Sequence, residues 1–194
     1  MDNKKYLPLK IFHLVLMVAA FVISCIAISK FSETAMMTIE VPLRIPVWAM
    51  KILAIISGMV YLIFGYKKEG FQYYRAFMVL LTMSDIVMLA CQSTERISVF
   101  MGFANIISIV IIAILAVGKD LGKRYSYLGV IILLLCRLVA LALAIYGIAG
   151  TEVGELYVAG SDDLSLAINN VILAGTVGLL VFGKYADKAA RGRN

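Results

Sequence analysis

Two charged residues lie deep inside apolar runs of this 194-residue chain, and they are the first candidates for chemistry. Asp85 falls 13 residues into the run Gln72–Gln92, and Arg137 falls 12 residues into Tyr125–Ile148. A charge at bilayer depth costs at least about 2.5–3.5 kcal/mol on insertion scales, so it normally faces protein or water. If both runs start on one side of a membrane, the two charges sit at similar depth. A direct or water-bridged Asp85–Arg137 pair is then expected. Helical steps of three and four from Arg137 reach Ala140, Ala144 and Gly147, small residues that let a neighbouring helix approach closely. The same steps from Asp85 reach Thr82, Leu89 and Gln92, a partly polar stripe. The pair reads either as a substrate or proton site at the centre of a bundle or as an ion pair that fixes helix packing.

Asparagines form a second layer. Asn105, Asn169 and Asn170 lie six or seven residues in from the opposite ends of their runs. Gly102, Asn105, Ser108 and Ile112 share one helical face, and Ser165, Asn169 and Thr176 share another. Asparagine bonds across helices for about 0.6–2 kcal/mol, or it lines a polar vestibule leading to Asp85 and Arg137. His13 is shallow and shares a stripe with Met17, Ala20, Ser24 and Ala27. It reads as an interfacial residue or, with Asp85, as a proton-linked group.

The elements that carry these residues follow from composition. Hydrophobic residues make up 62% and charged residues 15% of the chain, and mean hydropathy is +0.96. A soluble domain has roughly 45–50% apolar and about 25% charged residues. A water-soluble fold of this size has too little interior to hide the excess, which excludes a soluble enzyme, a disordered tail and a nucleic-acid-binding module. The expected fold class is all-α: a polytopic integral membrane protein built as one six-helix transmembrane domain over residues 1–194. The spans fall at Leu9–Ser29, Pro46–Tyr66, Gln72–Gln92, Val99–Val117, Tyr125–Ile148 and Asp163–Gly183, each near the roughly 20 apolar residues a crossing needs. The first run is long and lacks a small-x-small cleavage site, so it reads as a retained helix rather than a signal peptide.

Lys and Arg in the short loops set orientation. Lys4, Lys5, Lys10, Lys67, Lys68, Arg75, Lys119, Lys123, Arg124, Lys184, Lys188, Arg191 and Arg193 gather on one side. Lys30, Arg44, Lys51 and Arg96 are assigned to the other. Both termini are therefore expected in the cytoplasm. The outer side carries Glu33, Glu40, Glu95, Glu152, Glu155, Asp162 and Asp163, four of them within Gly150–Asp163, and reads as a solvated loop or a cation-concentrating entrance. Lys30–Ile45 is the longest outer loop, with an interfacial stretch at Ile39–Leu43 that reads as a connector or a lid. Tyr6, Trp48, Tyr66, Tyr73, Tyr74, Tyr125 and Tyr127 read as an aromatic belt at the helix ends.

A weak internal repeat suggests three helical hairpins. The even helices close on Gly65, Gly118 and Gly183, each followed within two residues by lysine. Thirteen residues before Gly118 and Gly183 stand Asn105 and Asn170, and the same step from Gly65 reaches Ile52, beside Lys51.

What is missing narrows the function. Phosphate-loop, zinc-hydrolase and serine-hydrolase motifs are absent, so no catalytic set is assigned. A single histidine and three scattered cysteines (Cys25, Cys91, Cys136) offer no metal or cofactor site. The leading reading is a small-solute or ion transporter, or the substrate-binding membrane subunit of one. Asp85, Arg137, Asn105, Asn169, Asn170, Thr82 and Gln92 would form its site, and a zwitterion or ion would be its ligand. In size and helix count alone the chain is similar to the substrate-binding components of energy-coupling-factor vitamin transporters, which implies the same leading reading. The alternative is a non-catalytic accessory, assembly or immunity subunit in which Asp85–Arg137 is structural glue, and a small intramembrane enzyme is a third. The expected partners are the lipid bilayer and a second copy of the chain or a partner membrane subunit, with no nucleic acid. Short loops and a basic inner face suggest the cytoplasmic membrane of a bacterium or archaeon.

Overall fold

A computed structural model describes residues 7–34, 41–92, 99–117 and 121–191, with side chains for 7–29, 45–90, 102–117, 121–145 and 164–186. The described residues form six α-helices and no strand. They are α1 (Leu7–Thr34), α2 (Val41–Ile63), α3 (Phe71–Gln92), α4 (Val99–Val117), α5 (Gly122–Ala149) and α6 (Ser161–Arg191), with a short 3-10 turn at Lys68–Gly70. Helices are the expected solution for such a composition, because each backbone polar group is satisfied within its own segment. Five stretches are long and apolar enough to cross a membrane: Leu7–Ser29, Ile45–Ile63, Lys68–Ala90, Gly122–Ile145 and Leu164–Ala186. The apolar part of α4, Gly102–Val117, is shorter.

Each helix packs against its neighbours in the chain, and α1 closes onto α6, so the six form a ring. The buried positions recur in steps of three and four. On α1 they are His13, Met17, Ala20, Ser24 and Ala27, and on α5 they are Ser126, Val130, Leu133, Arg137, Ala140 and Ala144. The opposite faces carry exposed large apolar side chains, such as Phe103, Ile106, Val110 and Ile114 on α4. A stripe of buried residues backed by an apolar outer face is what a helix between protein and lipid requires.

Three expectations need correction. The loop expected over Lys30–Ile45 is largely helical, since α1 runs to Thr34 and α2 begins at Val41. Pro46 lies inside α2 but only in its second turn, where it forfeits one backbone hydrogen bond. Trp48, Tyr66 and Tyr74 are buried in the bundle rather than lying in an interfacial belt, and Tyr66 and Tyr74 join the main core. The glycines of the supposed repeat also do different work. Gly65 ends α2 with a φ of +64°, whereas Gly183 lies inside α6. A Cβ on Gly183 would stand 2.5 Å from ring carbons of Tyr66, so the glycine there makes room for an aromatic ring. Gly118 and residues 35–40, 93–98 and 150–160 lie outside the described residues.

Substituting Gly183→Ala is expected to destabilise the protein by about 1–3 kcal/mol through overpacking against Tyr66. Gly102→Ala, which meets no atom within 4 Å, serves as the control. Thermal unfolding in detergent checks both, and equal midpoints would remove the close-packing account of Gly183.

Candidate functional site

The charged residues meet where the buried stripes cross the middle of the ring. On α3, Asp85 follows Leu81 and precedes Met88. On α5, Arg137 lies between Leu133 and Ala140. The expected pair forms, with the Arg137 guanidinium donating to Oδ2 of Asp85. The other oxygen is also taken: Lys51 of α2 places Nζ 3.2 Å from Oδ1. Lys51 is fully buried, between Trp48 and Ala54 on the inward stripe of α2. Counting it with the outer-side charges was therefore wrong, which leaves Lys30, Arg44 and Arg96 there.

Two asparagines complete the network. Asn105 of α4 accepts from Arg137 at 3.0 Å through Oδ1, and Asn170 of α6 accepts from Lys51 at 2.7 Å through Oδ1. Five helices thus contribute one side chain each to a continuous chain of contacts, Asn105–Arg137–Asp85–Lys51–Asn170. The Asp85–Arg137 link joins α3 with α5, and the Lys51–Asn170 link joins α2 with α6. Neither pair of helices is closely packed along its length, so these side chains bridge the ring's interior.

Not every expected residue reaches the cluster. Asn169 is buried but turns to α1, where its Nδ2 donates to Ser24 Oγ at 3.1 Å. Its Oδ1 is buried without a partner. Thr82 bonds back to the Met78 carbonyl at 2.8 Å, one turn below Asp85. The side chains of Gln92 and of the acidic residues assigned to the outer side, Glu33, Glu40, Glu95, Glu152, Glu155, Asp162 and Asp163, lie outside those described. His13 is fully buried and belongs to another cluster, with Nδ1 2.9 Å from the Tyr66 hydroxyl. Lys51 was the residue that loop counting missed. Its signal was positional, because it stands one residue from the step that marks Asn105 and Asn170.

Among the described residues, apolar clusters flank the polar layer on both sides. Towards the chain termini lies a broad core that includes Met17, Ile55, Phe77, Leu81, Leu133 and Leu173. Tyr66 joins that core with a left-handed φ of 63°, rare for a residue with a side chain. It is held there by Tyr61, whose hydroxyl donates to the Tyr66 carbonyl at 3.0 Å. Towards the other end, the described residues include a cluster of Ala27, Val47, Trp48, Met88 and Leu166.

The electrostatics are unbalanced. Two cations share one carboxylate, so the fully ionised cluster carries one net positive charge. It is also rich in donors. An ammonium has three N–H groups and a guanidinium five. Lys51 has two acceptors and Arg137 has two. Among the described residues, no group of three His, Cys, Asp or Glu gathers to hold a metal. Comparison with family models, with curated proteins and with solved structures finds no match to this chain.

The imbalance predicts an asymmetry between substitutions. Asp85→Asn leaves two buried cations without a counter-charge and is expected to cost about 3–5 kcal/mol. Lys51→Met leaves a neutral Asp85–Arg137 pair and is expected to be neutral or stabilising. Unfolding midpoints in lipid nanodiscs compare the two, and an equal loss from both would contradict the shared-carboxylate geometry.

Proposed function

We propose that the protein is a membrane transporter for a small solute or ion, or the substrate-binding membrane subunit of one. Its site is the Asp85 cluster. In this reading all six helices cross the bilayer, with both termini on the cytoplasmic side where Lys and Arg gather. The observation that carries the proposal is a buried, charge-unbalanced polar layer inside a ring of helices, flanked on both sides by apolar clusters. Ionisable groups at bilayer depth are costly, and substrate pathways are where they are commonly retained.

The reach of the network across five helices favours a second reading. There the same residues are glue in an accessory subunit, and the ligand is another membrane protein. Native mass spectrometry on protein extracted gently from its host separates the two. Transport predicts a bound small molecule that is lost on Lys51→Met or Arg137→Ala. A stoichiometric second polypeptide with no small ligand would contradict it.

A further inference from the structure

We propose that the Asp85 cluster takes a small monovalent anion, bound by the unused N–H donors of Lys51 and Arg137. The inference rests on the transport reading and names its substrate class. Both oxygens of Asp85 are already held by cations, so the cluster has no carboxylate oxygen free of a positive partner for the cationic end of a zwitterion or for a metal ion. Both asparagines turn their carbonyl oxygens towards the cations, so those acceptors are engaged as well. What remains is donors. After bonding Asp85 and Asn170, the Lys51 ammonium keeps one N–H, and after bonding Asp85 and Asn105, the Arg137 guanidinium keeps three. Both side chains are almost wholly buried, at 0% and 4% exposure, so bulk water does not satisfy those donors.

Charge and donor count point the same way independently. One negative charge neutralises the layer, and one or two acceptor atoms meet the free N–H groups. The planar fork of Arg137 suits a carboxylate, and the point charge of Lys51 suits either a carboxylate or a halide. A divalent anion would leave the layer negative, with the surplus charge buried.

The test uses the full chain in lipid nanodiscs, with sodium sulfate holding ionic strength. Trp48, the single tryptophan, is buried one turn from Lys51 and reports locally. Acetate, formate and chloride are titrated, with choline and betaine as cationic and zwitterionic probes. The expected result is a saturable change in Trp48 emission and a raised unfolding midpoint with acetate, formate or chloride. Lys51→Arg should keep the response, and Lys51→Met, still folded, should bind at least about tenfold more weakly. An unchanged response in Lys51→Met would overturn the proposal, and so would no response to any of the three anions. A saturable response to choline or betaine alone would overturn the anion inference while leaving the solute site standing. If none of the five probes binds and native mass spectrometry finds no small molecule, both readings fall together.

Discussion

Asp85 holds Lys51 with one carboxylate oxygen and Arg137 with the other, and the centre of the bundle is organised around that sharing. Isolated, each of the three charges would be expensive at this depth. Together they offset one another, and the asparagines on α4 and α6 extend the contact to two further helices. In a membrane, apolar side chains gain little by leaving lipid for protein, so helix association relies on close packing and polar bonds. The cluster supplies the polar bonds across the ring's interior, between helices that are not neighbours in the ring. The heptad-like stripes of Ala, Leu and Met supply the packing around its wall.

The same arrangement separates two apolar plugs. The larger is reinforced by buried aromatics, with Tyr61 and Tyr66 meeting edge to face at 5.7 Å and Tyr74 donating to the Leu115 carbonyl at 3.2 Å. Tyr66 accepts a left-handed backbone to sit against Gly183, a strain of about 1–3 kcal/mol that persists because the surrounding contacts determine it. Lys184 lies over the Phe71 and Tyr74 rings at 4.9 and 5.3 Å, which ties α6 to α3 at this end.

Much of the helical architecture was legible, since composition and run length alone dictate helices. The Asp85–Arg137 pair was legible from equal depth. Asn105 and the adjacent Asn169 and Asn170 were legible as a polar layer from their similar depth in the fourth and sixth runs. Two things were not. Successive residues on a helix point about 100° apart, so only one of Asn169 and Asn170 can face the centre, and sequence spacing did not say which. Asn170 does, while Asn169 reaches Ser24 on α1. Lys51 was obscured by the topology rule itself. A lysine five residues after Pro46 resembles a helix-end charge, yet α2 begins at Val41, ten residues before it, which places Lys51 nearly three turns into the helix. The burial stripe Val47, Lys51, Ala54, Gly58, Tyr61 shows its true place.

The shared carboxylate is the claim on which site and ligand class depend, and it is open to direct measurement. Dipolar-recoupling solid-state NMR, on protein labelled at aspartate carboxyl carbons and at lysine and arginine side-chain nitrogens in lipid bilayers, reads the distances between them. The account predicts that the Asp85 carboxyl couples to both Lys51 Nζ and the Arg137 guanidinium, and that Lys51→Met removes only the first coupling. Coupling to Arg137 alone, with Lys51 Nζ remote from Asp85, would contradict it.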